Sequence, residues 1–385
     1  MRVLHVIPGV APRDGGPSVA IHAMARGVAA LGADVAVVTT NADGDGELPV
    51  PVDRDVIEAS VTYRYFRRSL NGDWKFSLPL AAWLRHNVRR FDVVHVHALF
   101  SYATIPACRL AARAGVPFIL RPLGTLDPWS LRQKRWKKTP YLRLVERRHL
   151  ADAAAIHVTS PQEAEAVAAL GFGSKTRLIP LGAELGPERA APRTAPPLRV
   201  LYLSRIHEKK GLPLLLDAVA RLLRAHPGAV EVVIAGRGAP EYERAMHAMC
   251  DELGIASAVR FVGHVDGAAK ARTFDDADVF VLPSHTENFG IAVAEAMAAG
   301  LPVVVSDQVG LAESVQAADA GIVVPRDAAA IAGALERLMH DGAARERLGR
   351  NARALIAERF SWARTSEGLL ALYRELATTR AGAMA

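Results

Sequence analysis

The sequence has almost no cysteine and no long apolar run. Cys108 and Cys250 are the only cysteines among 385 residues, so a framework of disulfide bonds is excluded. No stretch approaches the roughly 20 apolar residues that a membrane-spanning helix needs. Met1-Arg2 leads straight into a short apolar segment, and this differs from the longer apolar region of a signal peptide. We therefore expect a cytoplasmic, globular protein.

The formal net charge is concentrated in one segment. The chain carries +7, and residues 121–150 alone hold nine basic and two acidic residues, so the remainder is balanced. Trp129, Trp136 and Tyr141 lie among these cations. We interpret the segment either as a solvated helical face or as a contact with an anionic membrane surface, which would attach the protein peripherally to the cytoplasmic face. No nucleic-acid-binding motif accompanies it, so a nucleic-acid partner is not expected.

Strand-like and helix-like segments alternate in two series, and 385 residues are too many for one core. Residues 186–197 contain four prolines and are predicted to form a linker. The predicted domains are 1–185 and 198–361. Near-continuous apolar strands are typical of parallel sheets covered on both faces. We predict an α/β protein with two Rossmann-like, doubly wound parallel-sheet domains that face a central cleft.

The segment from Glu287 to Glu295 places two carboxylates eight positions apart. It follows a strand predicted at 279–282 and leads into a helix predicted at 292–299. Such a turn directs free backbone N–H groups and the positive end of the helix dipole at one point. We expect it to bind a phosphate or a hydroxylated ligand. Because a helix would separate the two carboxylates by about 12 Å, they are not predicted to form a general acid–base couple.

Cations and glycines follow other predicted strands. Arg205 and Lys210 come after the strand at 199–204, where they could neutralise a diphosphate and stabilise it as a leaving group. Gly236-Arg237-Gly238 is a further strand-end turn, and Gly15-Gly16 precedes the first predicted helix. Each glycine turn alone is compatible with ordinary loop geometry, and the three-glycine dinucleotide fingerprint is missing.

His95 and His97 are spaced two apart on a predicted strand. We place them on opposite faces, with His97 at the strand end and able to reach the cleft. A strand histidine is structural more often than catalytic, so both interpretations of His97 stay open. Asp276 and Asp278 have the spacing of a metal–diphosphate site, but they directly precede a strand and are interpreted as caps. No metal is predicted.

Together these segments resemble the family 4, or group 1, retaining glycosyltransferases of the two-Rossmann-domain GT-B type. The resemblance covers nearly the whole chain, and a further stretch is similar to bacterial enzymes that build surface polysaccharides on lipid carriers. The segments that carry the family resemblance are Glu287 to Glu295, Ser204-Arg205, Lys210-Gly211, Ala235-Gly236, Phe261-Val262-Gly263 and Phe360-Ser361-Trp362. The surface-polysaccharide likeness rests on His95 to Phe100 and Leu126 to Trp129.

The resemblance implies transfer of a sugar from a nucleotide-diphosphate sugar to a hydroxyl of a glycan or lipid-linked acceptor, with retention and without a metal or other cofactor. It also implies that a final helix, 362–385, packs back on the first domain. Catalytic roles fall to Glu287 and to His97 as a candidate. The implied donor-binding residues are Gly16, Arg205 and Lys210 for the diphosphate, Glu287, Asn288, Phe289, Gly290 and Ile291 for the sugar, Glu295 for the ribose and Val265 for the base.

One feature departs from the family pattern. Many relatives carry a histidine after the strand equivalent to 116–120, whereas this chain reads Arg121-Pro122-Leu123-Gly124-Thr125. His97 or Asp127 could take that role. The alternatives are an epimerase or phosphorylase of the same fold, or a non-catalytic nucleotide-sugar-binding protein. The sequence specifies neither the base nor the sugar of the donor, nor the acceptor.

Overall fold

The computed structural model describes residues 1–70, 72, 74–187 and 196–384. The chain divides into two compact units, Met1–Leu181 with Trp362–Ala385, and Gly182–Ser361. Most of the predicted linker lies outside the described residues.

The first unit is built on a sheet whose central strands are buried on both faces. Its strands are β1 (Arg2–Gly9), β2 (Asp34–Thr40), β3 (Ala42–Asp43), β4 (Gly46–Glu47), β5 (Asp55–Glu58), β6 (Val61–Phe66), β7 (Val93–His97), β8 (Phe118–Arg121), β9 (Ala155–Val158) and β10 (Thr176–Leu178). Eight of them form one sheet in the order β10-β9-β8-β7-β1-β2-β6-β5. Within it β5 and β6 pair antiparallel and the other neighbours run parallel, while β3 and β4 form a separate hairpin.

Helices cover this sheet, and several begin at a side-chain cap. Ser77, Asp127 and Ser160 each accept a hydrogen bond from a backbone N–H of the following turn, which satisfies one of the free donors there. A π-helical turn spans Leu142–Glu146. The helices are α1 (Gly16–Ala30), α2 (Leu78–Asn87), α3 (Thr104–Arg113), α4 (Pro128–Arg132), α5 (Arg135–Tyr141), α6 (Arg147–Asp152) and α7 (Pro161–Ala168).

The second unit repeats the design with six parallel strands. They are β11 (Leu198–Leu203), β12 (Val230–Ala235), β13 (Val259–Gly263), β14 (Val279–Leu282), β15 (Val303–Ser306) and β16 (Gly321–Val324), in the order β13-β12-β11-β14-β15-β16. Its helices are α8 (Leu212–Ala225), α9 (Pro240–Glu252), α10 (Gly267–Asp275), α11 (Ile291–Ala298), α12 (Ala312–Ala317), α13 (Ala328–His340) and α14 (Gly342–Arg359). Asp278 accepts a hydrogen bond from Arg199 N at 2.9 Å, which joins β14 to β11 and gives this aspartate a structural role.

The last helix, α15 (Trp362–Met384), belongs to the first unit and packs on α1. The contact is close, because a Cβ on Gly27 would overlap the Ser366 hydroxyl. Thr365 Oγ1 donates to Pro180 O at 3.0 Å, and Arg177 pairs with Glu375 at 3.3 Å. Across the portion of the chain that the structure describes, no helix is both long and apolar enough to cross a membrane. The predicted α/β class with two doubly wound parallel sheets is confirmed.

Candidate functional site

The order of strands in the second unit defines a switch point between β11 and β14. From β11 the sheet grows to one side through β12 and β13, and from β14 it grows to the other. In open parallel α/β sheets, ligands bind outside the strand ends where the order reverses. The loop after β11 carries Arg205 and Lys210, and the loop after β14 carries Glu287. Three predicted residues therefore lie at this point.

Glycines allow the loops at this edge to touch. Gly211 has a φ of +68°, and a Cβ there would overlap the carbonyl of Pro283. Gly236 has a φ of +140°, and a Cβ would overlap the carbonyl of Ser204. Both positions need glycine for conformation and for space. The loops after β11, β12 and β14 therefore pack into one surface.

Lys210 and Glu287 form an ion pair that the sequence did not predict. Lys210 Nζ donates to Glu287 Oε2, and the two side chains are only 11% and 18% exposed. Burial alone would raise the pKa of the Glu287 carboxyl, but the Lys210 ammonium and its hydrogen bond, with Lys209 and Arg205, outweigh burial and lower the pKa. Glu287 is thus an ionised acceptor at neutral pH. Arg205 is exposed at the same edge.

Glu295 has a different partner. It accepts a hydrogen bond from Lys270 Nζ at 2.6 Å, and both side chains are about three-quarters buried, with 21% and 24% exposed. Each glutamate therefore has its own lysine partner, and their roles toward a ligand stay predictions. Lys270 gave no signal in the sequence, since it lies in a helix with no motif around it.

The turn between the two glutamates leads into a helix start with free backbone N–H groups, and Asn288 within it is partly exposed. α11 begins at Ile291, one residue earlier than predicted, and its N-cap Gly290 has a φ of +95° and no capping side chain. The first-turn N–H groups of such a helix lack an intrahelical partner. The Phe289 ring is 2% exposed and packs edge-on against Phe360 at 5.8 Å. Phe289 can therefore offer a ligand only its backbone.

A pocket of about 330 Å³ opens beside these loops, at the ends of β11, β12 and β13. Ile206, Gly236, Arg237 and Phe261 contribute to its lining, and His247 stacks near Phe261 at 4.0 Å between ring centroids. Polar and charged side chains, with Arg237 and Glu243 among them, line much of this pocket beside the aromatic ring of Phe261. The predicted base contact, Val265, lies just beyond the end of β13.

The first unit has an equivalent switch point between β1 and β7. Gly16 is the first residue of α1 there, and its N-cap Gly15 has a φ of +75° and no capping side chain. Lys75 Nζ pairs with Asp14 Oδ2 at 2.5 Å, and a Cβ on Gly9, at the end of β1, would overlap this ammonium group. The predicted placement of Gly16 at a helix start is confirmed by this geometry, and its contact with a diphosphate stays a prediction.

His95 and His97 lie on the same face of β7, so the predicted opposite faces are wrong. Their ring centroids are 4.2 Å apart. Successive residues of a strand alternate between faces, which puts residues two apart on one face. His97 Nε2 shares a hydrogen bond with His5 Nδ1 at 2.9 Å, and His95 Nδ1 with the Tyr373 hydroxyl at 2.8 Å.

These histidines are wholly buried and neutral. Burial, followed by the nearness of His5, Arg121 and His157, lowers the pKa of His97 well below its usual value. Arg121 is itself 2% exposed, and burial lowers the pKa of its guanidinium to about 10. A ring with no exposed surface cannot touch a substrate without moving, which favours the structural interpretation of His97. Asp127, the other candidate, caps α4 by accepting from Ser130 N at 2.9 Å.

The loops after β7 and β8 are strained and are held by buried carboxylates that the sequence did not reveal. Ala98, Phe100 and Leu123 have φ values of +75°, +56° and +60°, although none is glycine. Glu146 accepts from Phe100 N and Glu163 accepts from Gly124 N, each at 2.7 Å. A positive φ at a residue other than glycine cannot be recognised from the sequence. These loops surround the position where the family histidine is missing.

Only part of the basic segment 121–150 is exposed to solvent. Arg121 and Glu146 lie in the core, whereas Trp136 and Leu144 are 75% and 79% exposed. Lys137 Nζ lies 4.7 Å from the centre of the Trp136 ring. An exposed patch of cations and apolar side chains therefore remains around α5 and the π-helical turn.

Relatives are similar to this chain in both units. The Glycosyl transferase 4-like domain matches residues 15–182, and Glycosyl transferases group 1 matches residues 189–355. D-inositol 3-phosphate glycosyltransferase of Acidothermus cellulolyticus is 30% identical, over 97% of this chain and 88% of that protein. Glycogen synthase of Mycobacterium tuberculosis is 38% identical over 44% of this chain. The chain spans only 41% of the length of that glycogen synthase.

Solved structures share the fold. Sucrose-phosphate synthase from Thermosynechococcus elongatus superposes with a TM-score of 0.81 at 24% identity, over 98% of this chain and 100% of that one. Anabaena HepE, solved in complex with UDP and glucose, gives 0.79 at 20% identity, over 97% and 100%. The two family matches and the nearly full-length relative leave one conclusion: the chain belongs to the group 1, family 4-like glycosyltransferases.

Proposed function

We propose that the protein is a retaining glycosyltransferase that moves a sugar from a nucleotide-diphosphate sugar to a hydroxyl of a glycan or lipid-linked acceptor in bacterial polysaccharide synthesis. The observation that carries this proposal is the buried Lys210–Glu287 pair at the switch point of the second unit, beside the uncapped start of α11. An epimerase, a phosphorylase or a non-catalytic binding protein is the alternative, and family membership disfavours all three.

The donor diphosphate is bound by Lys210 and Arg205, while the contact of Gly16 with it stays a prediction of the family resemblance. A phosphate oxygen would accept a hydrogen bond from Lys210 in place of one carboxylate oxygen of Glu287, and this frees that oxygen for a sugar hydroxyl. The crystal structure of HepE with UDP and glucose supports a donor of this class. The pocket beside Phe261 would take the base, Val265 after β13 would contact it through its backbone, and Glu295 would bind the ribose.

During transfer, the bond between the anomeric carbon and the donor phosphate oxygen breaks, and the acceptor oxygen attacks from the same face. Negative charge then grows on the departing diphosphate. Lys210 and Arg205 stabilise that charge, and N–H groups from Phe289 to Ile291 hold the sugar. Because two cations supply this stabilisation, we propose that the reaction needs no divalent metal. Loss of turnover after treatment with a chelator, restored by Mg²⁺ or Mn²⁺, would contradict this point.

The acceptor is assigned to the first unit. The exposed cations and Trp136 around α5 are proposed to contact anionic lipid at the cytoplasmic face of the membrane. Co-sedimentation with vesicles tests this attachment. Binding should require an anionic lipid and weaken with added salt. Equal binding to neutral vesicles would contradict the electrostatic contact.

Thermal-shift titration with UDP, GDP and ADP, and with their common sugars, tests the donor site. A ligand that binds the folded protein raises its melting temperature by mass action, so one nucleotide series should stand out. The shift should be lost in Lys210→Ala and kept in Lys137→Ala, a surface lysine of the other unit. No shift with any nucleotide, or equal shifts in both variants, would overturn the assignment.

A further inference from the structure

A second cluster of potential ligands lies where two helices of the second unit end. His226 is the C-cap of α8, and Glu336 and His340 lie one turn apart on α13, of which His340 is the last residue. Their ligand atoms all lie within 4.8 Å of one another. His226 Nε2 is 2.7 Å from Glu336 Oε1, and the His226 and His340 rings meet edge-on at 5.5 Å between centroids.

Two features of this cluster favour a cation. The carbonyl end of a helix carries partial negative charge, and here the ends of α8 and α13 come together. Glu336 adds a full negative charge between the two imidazoles. The side chains of His226 and Glu336 are 34% and 47% exposed, so an ion can enter from solvent and the side chains can adjust.

The buried histidines of the first unit provide an internal contrast. His5, His95 and His97 also bring three ligand atoms within 4.8 Å. That cluster has no exposed surface, no carboxylate among its three members, and the buried Arg121 close enough to lower the pKa of each of them. A divalent ion there would add positive charge beside the buried Arg121 guanidinium with no ligand carboxylate to offset it, which is strongly unfavourable. Ligand spacing alone therefore does not distinguish the clusters, but charge and access do.

We propose that His226, Glu336 and His340 bind a divalent transition-metal ion of the Zn²⁺ class, with water completing the coordination. Two imidazoles and one carboxylate are an accepted zinc ligand set, with metal–ligand bonds of about 2.0–2.2 Å. Tetrahedral bonds of that length put ligand atoms roughly 3.3 Å apart. His226 Nε2 and Glu336 Oε1, at 2.7 Å, are already near this spacing. His340 is exposed at a helix end, and rotation of its side chain brings a ring nitrogen to the same distance from them.

The site is remote from the donor loops and serves stability rather than chemistry. α8 begins directly after Gly211, at the carboxyl edge of the sheet, and its 14 residues lead to the opposite edge. At about 1.5 Å per residue, roughly 20 Å separate His226 from the Lys210 region. Bound metal would tie the end of α8 to the end of α13, the two helices that pack together on this sheet. The proposal does not depend on the proposed function.

Calorimetric titration of untagged, chelator-treated protein with Zn²⁺ tests the site. We expect one ion per chain for the parent protein, and at least tenfold weaker binding for His340→Gln and for Glu336→Gln. His86→Gln, which removes an exposed histidine of the other unit, is the matched control and should bind like the parent. Co²⁺ should give a tetrahedral absorption band in the parent and in His86→Gln only.

Thermal melting supplies an independent readout. Zn²⁺ should raise the melting temperature of the parent but not of His340→Gln, while circular dichroism without metal should be the same for both because these side chains are exposed. Three outcomes would overturn the proposal. They are equal stoichiometry and affinity in His340→Gln and the parent, binding that is lost equally in His86→Gln, or no saturable binding at micromolar Zn²⁺.

Discussion

The carboxyl edges of the two parallel sheets hold their loops in different ways. In the second unit, glycines let the loops touch, and Lys210 and Glu287 form a largely buried charged pair that keeps 11% and 18% of its side-chain surface exposed. In the first unit, non-glycine residues such as Phe100 adopt positive φ, and wholly enclosed carboxylates such as Glu146 and Glu163 tie the backbone down. One edge pairs charged side chains with each other, whereas the other pairs carboxylates with backbone N–H groups.

This difference explains which edge could be recognised from sequence. Charged residues that bind a ligand in a parallel sheet tend to follow strand ends, as Arg205, Lys210 and Glu287 do, and such a pattern can be seen in the sequence. Charges that brace a loop can come from any neighbouring helix. Four predictions, in order of expected effect, test whether the two edges differ in this way.

Lys210→Ala should reduce sugar transfer by about 10²–10³-fold, since it removes a cation that stabilises the departing diphosphate. Glu287→Ala should have an effect of similar size, through lost contacts with the sugar. Lys209→Ala, at the neighbouring position, should cost less than about tenfold because only its distant charge is lost. Initial rates with a radiolabelled donor measure this. Parent-like turnover in Lys210→Ala or Glu287→Ala would contradict the donor role.

Glu163→Ala should lower the free energy of unfolding by about 2–3 kcal/mol, because it leaves buried N–H donors of Gly124 and Thr159 without their acceptor. Glu165→Ala lies on the same helix but is exposed, and its effect should stay within about 0.5 kcal/mol. Urea unfolding measures both. Equal effects would mean that the buried carboxylate does not brace the loop.

Gly211→Ala should destabilise the protein by about 1–3 kcal/mol and weaken nucleotide binding, since both backbone strain and the overlap with Pro283 oppose a Cβ. Gly254 has a similar φ of +70° but open space around it. Gly254→Ala should therefore cost only about 1 kcal/mol and leave nucleotide affinity unchanged. If the two variants behave alike, strain and not loop contact explains the glycine at 211.

Acid should destabilise the first unit through its buried histidines. Burial lowers the pKa of His5 and of His157 to about 3, below the value of about 6.5 in an unfolded chain. The unfolded state therefore binds more protons, and stability present above pH 6.5 is lost as the pH falls toward 3, by up to about 1.4 kcal/mol per pH unit for each histidine.

His97→Gln should lessen this acid dependence by about one proton and leave sugar transfer nearly unchanged if His97 is structural. Urea unfolding at pH 7.5, 6.0 and 5.0, with His86→Gln as the exposed control, measures the dependence. Loss of turnover in His97→Gln with nucleotide affinity retained would instead support a catalytic role.

Much of the fold could be predicted from local pattern. Apolar runs such as those at Val93–His97 and Val279–Leu282 are strands, because only buried parallel strands need such continuous hydrophobicity. The antiparallel pair β5–β6 and the helix α2 were not predicted, although residues 61–65 of β6 do alternate between buried and partly exposed positions. Arg121 was counted with the basic segment but lies in the core. Its burial depends on packing against distant residues, which no local pattern records.

Local sequence pattern is enough to show a two-part α/β protein in which Arg205, Lys210 and Glu287 follow strand ends and Glu295 lies in the next helix. Those features depend on neighbours along the chain. The pairing of Lys210 with Glu287 and of Glu295 with Lys270, and the stacking of His97 on His5 and His95, depend on tertiary packing. The partners Lys210 and Glu287, Lys270 and Glu295, and His5 and His97 are 77, 25 and 92 positions apart in the sequence, so they meet only when whole strands and helices pack. Packing also determines which charged groups are screened by water.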